Sequence, residues 1–92
     1  MLLARQAIAV TIGTVSANST TNLSVAFAAA FKPNLPIIPV QDQSDTAIST
    51  GLVLGPCRYN LSTGNLELRV ANVTTASVTD STAHTIWFTQ VE

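Results

Sequence analysis

Directly after Gly64 the chain reads NLELRVANV, in which Leu66, Leu68 and Val70 alternate with Glu67 and Arg69. Successive side chains on a β-strand point to opposite faces, whereas a helix repeats its apolar positions every three or four residues. The stretch therefore predicts a strand with an apolar face turned inward and a charged face turned outward. The same period of two returns in Ile8, Val10 and Ile12, set against Ala7, Ala9 and Thr11, and in Leu23, Val25 and Phe27. Gly13 with the polar run 16–22, the loop DQSDTAISTG at 42–51, LSTGN at 61–65 and the Ser/Thr-rich stretch 74–83 separate these runs. In LSTGN, Gly64 supplies the positive φ of a hairpin turn. An Ala-rich stretch after Phe27 allows one helical turn at most before Pro33 stops it. The pattern predicts an all-β fold: a single domain, 1–92, built as a small antiparallel β-sandwich of about six strands, with 1–6 as an N-terminal arm.

Two strands break the simple alternation. HTIWFTQV, 84–91, sets Ile86, Trp87 and Phe88 side by side, and Leu52, Val53 and Leu54 repeat the motif. If Ile86 and Phe88 enter the core, Trp87 lies outside with Thr85, Thr89 and Val91. Composition makes this costly: 47% of the residues are apolar and 10% charged, where a soluble domain carries about 25% charge. A chain of this size also buries only roughly 60–65% of its unfolded surface. A second covered face is expected, formed by Thr85, Trp87, Thr89 and Val91 with Val53, and reached by Leu2 and Leu3 of the arm. A closed homotrimer would supply that cover.

The residues that carry chemistry are few. Net charge is −1 without a basic cluster, which argues against neutralising nucleic-acid phosphates. No apolar run approaches the ~20 residues of a membrane helix. The apolar start, interrupted by Arg5, reads as a first strand rather than a signal peptide. Cys57, the single cysteine, has no internal disulfide partner and reads as a small apolar strand residue. His84, the single histidine, is expected at the start of the last strand, bonded to backbone. Asp42 and Asp45 offer too few oxygens for calcium, and Asp80, Ser81 and His84 lack the strained turn of a nucleophile. Pro33, Pro36 and Pro39 have polyproline spacing, and the segment reads as an edge strand or extended wall. The sequons at Asn18, Asn22, Asn60 and Asn72 are ordinary in a chain this rich in Asn, Ser and Thr. The expectation is no enzyme, no metal and no cofactor.

The succession of Val25 and Phe27, Phe31, Pro36, an Asp-containing loop, Thr63-Gly64, an alternating strand and a closing aromatic strand resembles the H-type lectin-like sandwich. It is also similar to small β-sandwich proteins of tailed bacteriophage virions. The resemblance spans roughly residues 23–91 and implies a six-stranded antiparallel sandwich with three-fold assembly. From it follow two expectations. One is a capsid decoration (cement) protein, made in the host cytoplasm without export, that binds the major capsid protein or another virion protein. The other is a carbohydrate-binding module of a tail fibre or tailspike, for which Arg69, His84 and Trp87 are the candidate contacts.

Overall fold

The computed structural model describes residues 2–28 and 30–91. They form six strands: β1 (Leu2–Val15), β2 (Thr20–Val25), β3 (Ile37–Gln41), β4 (Leu52–Asn60), β5 (Asn65–Asn72) and β6 (Val78–Val91). All pair antiparallel in one sheet of order β1-β6-β3-β4-β5-β2, and no helix occurs among the described residues. β3 and β4 meet at a single pair, Ile37 with Cys57. The sheet therefore folds there into two halves, β1-β6-β3 and β4-β5-β2. Its two end strands are joined by the short turn after Val15, so it is nearly closed. At that end Asn18 N–H donates to Thr74 O (3.0 Å) and Asn72 N–H to Ser19 O (2.8 Å).

The alternating segment behaves as its pattern requires. Leu66, Leu68 and Val70 are fully buried, as are Ile86 and Phe88 from the facing half. Glu67 is half-buried and Arg69 exposed. Val10, Ile12, Val15, Leu52 and Cys57 belong to the same core, with Ala4, Val25, Phe31 and Ile37. Phe27 packs edge-on against Phe31 and Tyr59, with ring centroids 5.3 and 5.6 Å away. Gly64 has φ +73° and closes the β4–β5 hairpin as expected, its N–H donating to Asn60 O at 2.8 Å. Pro39 lies in β3, whose β4 side is bridged only at Ile37; a residue with no N–H is tolerated where the ladder is open.

Three expectations are corrected, the first being the stretch 74–83, which is not all connection because β6 already starts at Val78, paired with Val15. Gly13 does not end the first strand: β1 continues to Val15 through a register shift between Thr11 and Gly13. With φ +79°, Gly13 takes at the bulge a left-handed backbone conformation that residues with a Cβ adopt only under strain. Residues 2–6 are not a free arm either. Leu2 pairs with Val91, Arg5 with Thr89 and Gln6 with Phe88, which gives the N-terminal backbone its hydrogen-bond partners. Met1 lies outside the described residues.

Truncating one fully buried side chain should therefore outweigh removing its exposed neighbour. Leu68→Ala is expected to lower unfolding free energy by about 2–5 kcal/mol, and Arg69→Ala by about 0.5 kcal/mol or less, measured by urea titration. Equal losses would contradict the assigned faces.

Candidate functional site

β6 sorts its side chains by parity. His84, Ile86, Phe88 and Gln90 are buried, while Thr85, Trp87, Thr89 and Val91 face outward. Register extends the outer set across the half-sheet: Trp87 stands between Ala7 and Val40, Thr89 between Arg5 and Ile38, and Thr85 beside Ala9. Ile38 and Val40 are 50% and 55% exposed. Trp87 itself is half-buried. The Arg5 guanidinium lies 4.1 Å from its ring centre, and the indole N–H donates to Asp42 Oδ1 at 3.0 Å. Beside it runs a groove of about 380 Å³ lined by Arg5, Val40, Gln41, Asp42, Gln43, Trp87 and Thr89.

The other half presents a different surface. Arg58 bonds Glu67 (3.0 Å), Asn65 bonds Ser24 (3.0 Å) and Arg69 bonds Asn22 (3.3 Å) across its strands. Of the residues expected at an interface, Thr85, Trp87 and Thr89 form one column, and Val91 continues it at the strand end. Val53 is exposed but pairs with Ala71 on β4-β5, away from Trp87. Leu3 is half-buried, and the Leu2 side chain lies outside the described residues.

Behind Trp87 the inward side of β6 holds a charged cluster. His84 is 1% exposed, neither at the start of its strand nor bonded to backbone as expected. Its Nε2 lies 2.9 Å from both oxygens of Asp80, and its Nδ1 lies 3.2 Å from Asp45 Oδ2. Ionised carboxylates only accept, so the cluster is fully satisfied when both ring nitrogens donate, that is, when the ring is an imidazolium. Burial alone would pull the His84 pKa down, but the bonds and charges of Asp80 and Asp45 outweigh it and raise it above 6.5. Burial likewise opposes ionisation of Asp80, yet donation from Ser49 N, His84 and Thr82 N holds it below 3.8. Asp45 is held below 3.8 first by the Gln41 amide, with Thr85 N, Thr46 N and His84 adding to it. Asp42 is also lowered, by the Ser44 hydroxyl and then by the Trp87 indole.

The missed signal was parity. His84 and Gln90 share the phase of Ile86 and Phe88, so the alternation that buried those two also buries the polar pair. Gln90 anchors the loop before β3, donating to Lys32 O (2.7 Å) and Leu35 O (3.1 Å) and accepting from Lys32 N (2.7 Å). Asn72 does the same at the closed end, bonding Val15 O and Ala76 O, both at 2.9 Å.

Chemically the cluster is a clasp. Both His84 nitrogens are engaged, leaving none to take a proton from a substrate, and Ser81 is exposed and outside the cluster. Asp45 and Asp80 address opposite edges of the ring instead of converging on a point. Among the described residues no three His, Cys, Asp or Glu side chains are placed to hold a metal ion. Burial and the Glu67 charge push the Cys57 thiol up to about 12, far from a reactive thiolate. No family model matches the chain, nor does any curated protein or solved structure.

The clasp fixes a pH dependence. His84, raised in the fold, contributes fully below 6.5 and loses its contribution as pH climbs through the raised value. Asp80 and Asp45, lowered in the fold, contribute fully above 3.8 and lose theirs as pH falls through the lowered values. The contribution is therefore greatest between 3.8 and 6.5. Urea midpoints are expected to be higher at pH ~5 than at pH ~9, and His84→Leu should abolish that alkaline decline.

Proposed function

We propose that this chain is a non-enzymatic structural subunit of a virus particle, a capsid decoration (cement) protein of a tailed bacteriophage. In this reading it binds as a homotrimer at capsomer junctions and stiffens the shell by adhesion. The partners are copies of itself and the major capsid protein or another virion protein; neither nucleic acid nor membrane is involved. Made in the host cytoplasm, it ends in the virion.

The observation that carries the proposal is the contrast between the two outer faces. The β4-β5-β2 face bears Arg58, Glu67 and Arg69 in cross-strand pairs. The β1-β6-β3 face gathers Ala7, Trp87, Val40 and Ile38 in adjoining register rows, with Arg5 and Asp42 both turned to Trp87. An apolar patch centred on a tryptophan, in a chain with 10% charged residues, suits burial against another protein. Such a subunit needs no reaction chemistry, only complementary area.

A second reading, a carbohydrate-binding module of a tail fibre or tailspike, draws support from the groove beside Trp87. Gln41, Asp42, Gln43 and Thr89 line it with polar groups around one aromatic ring. Arg69 and His84, expected as sugar contacts, do not join it: Arg69 sits on the other half-sheet and His84 is buried.

Sedimentation separates the two readings. Wild type is expected to sediment as a trimer at micromolar concentration, whereas Val40→Asp, which puts a charge on the exposed face without touching the core, sediments as a monomer. Trp87→Ala should weaken association by roughly 2 kcal/mol or more, the scale of an interface hot spot, and reduce attachment to particles seen by cryo-electron microscopy. A monomeric wild type whose Trp87 fluorescence responds to saccharides would favour the second reading.

A further inference from the structure

The loop that forms one wall of the Trp87 groove is the loop that holds His84. Asp45 accepts from Thr85 N (2.8 Å), Thr46 N (2.9 Å) and the Gln41 amide (3.2 Å) besides facing His84 Nδ1. Asp45 N–H donates to Asp42 O (3.2 Å), and Asp42 N–H donates to Thr85 O (2.9 Å). Asp42 in turn accepts the Trp87 indole N–H. A continuous run of bonds thus leads from the buried imidazole to the outer tryptophan through Asp45 and Asp42 of one loop.

The clasp is built to depend on one proton. A neutral imidazole keeps a single N–H. Asp80 presents both oxygens to Nε2 at 2.9 Å, so the remaining N–H stays there. Nδ1 then turns a lone pair toward Asp45 Oδ2, acceptor against acceptor. The Gln41 amide nitrogen, 3.4 Å from Nδ1 and 3.2 Å from Asp45 Oδ2, is the donor within reach to turn from the carboxylate to the ring. Gln41 also bonds Thr46 O at 2.6 Å and lines the groove, so its movement and that of Asp45 disturb the groove wall together. Asp45 and Asp80 are the ionised groups on the ring, and Asp42 adds a further negative charge beside Asp45. From β1 the register partner is Val10, which carries none, and Gln41 at the end of β3 is neutral. Arg5 lies over Trp87 on the outer face.

We propose that the His84 clasp is a proton-operated latch on the docking face. With the ring protonated, loop 42–46 holds Trp87 and the groove wall in one arrangement; with the proton released to solvent, loop and indole loosen together and association weakens. The functional half of this inference rests on the reading of the Trp87 face as the surface of association.

The chain has one histidine and one tryptophan, so each gives an unambiguous nuclear magnetic resonance signal. In full-length wild type titrated from pH ~5 to ~9, the His84 ring and the Trp87 indole N–H are expected to shift with one shared midpoint above 6.5. Asp42→Ala should leave the His84 midpoint in place while Trp87 ceases to follow it. Asp45→Asn, which removes the charge and keeps one amide oxygen for Thr85 N while losing the acceptor for Thr46 N, should lower the midpoint. Sedimentation of wild type should show association weakened by roughly tenfold or more at the alkaline end, within the usual span of coupling between sites. A Trp87 signal that stays fixed while His84 titrates overturns the latch, as does a midpoint at or below 6.5. A shared midpoint in a protein that is monomeric throughout keeps the latch and removes the association reading instead.

Discussion

The pairing of β6 with β1 on one side and β3 on the other sets where everything else can be. β1 and β6 are each 14 residues long, and their ladder runs nearly end to end. Because side chains alternate, a slip of one residue would move Trp87 into the core and put His84 and Gln90 on the outer face. Apolar burial alone resists this only in part, since Trp87 is also a good core residue. The buried polar groups make the choice sharp. His84 inside finds Asp80 and Asp45, and Gln90 inside finds the backbone of Lys32 and Leu35. In the slipped register those partners would be left in the interior with nothing to bond, a cost of several kcal/mol.

The same polar groups hold the irregular parts of a chain whose core is thin. Three of the five connections between strands are held this way: the segment before β3, the loop 42–51 and the turn 73–77. Gln90 ties the first. The second is held by Asp45 on His84 and by Ser49 N–H on Asp80 at 2.9 Å. Asn72 accepts from Thr74 N and Thr74 Oγ1 in the third, at 2.9 and 2.7 Å. Among the described residues no buried side-chain nitrogen or oxygen lacks a partner. Each clasp reaches from a regular strand to a connection, so the interior polarity stabilises the loops that apolar packing cannot reach.

How far this was legible depends on the range of each interaction. The strand 65–72 and its hairpin follow from neighbours in sequence, and both came through with the expected faces. The inward phase of Ile86 and Phe88 was equally local. Gly13 was misread because a glycine after an alternating run signals a turn and a bulge alike; only the partner strand, continuing opposite Thr14 and Val15, decides between them. The His84 clasp was hidden for a different reason. Asp80 is four residues away on the same strand, but Asp45 comes from a loop 39 residues earlier, and no local pattern records that meeting. Arg5 over Trp87 likewise depends on the β1–β6 register, which sets Ala7 opposite Trp87 and Arg5 one step along the same face.

That placement of charges gives the two outer faces unequal characters. Asp45 and Asp80 are engaged with His84, while Arg5 and Asp42 are engaged with Trp87. Arg58, Glu67 and Arg69 lie together on the opposite half. Among the described residues of the β1-β6-β3 face, the cation Arg5 and the anion Asp42 are both turned toward Trp87. A surface protected against association carries dispersed charges that a second molecule must desolvate. Here Ile38, Val40 and Ala7 stand in adjoining rows in which the one charged side chain among the described residues, Arg5, is laid over Trp87. The cation and the anion also oppose each other in sign, so together they add no net charge to the face. Apolar area then decides what adheres, and the surface best matched to it is another one of low charge, such as a second copy of this face.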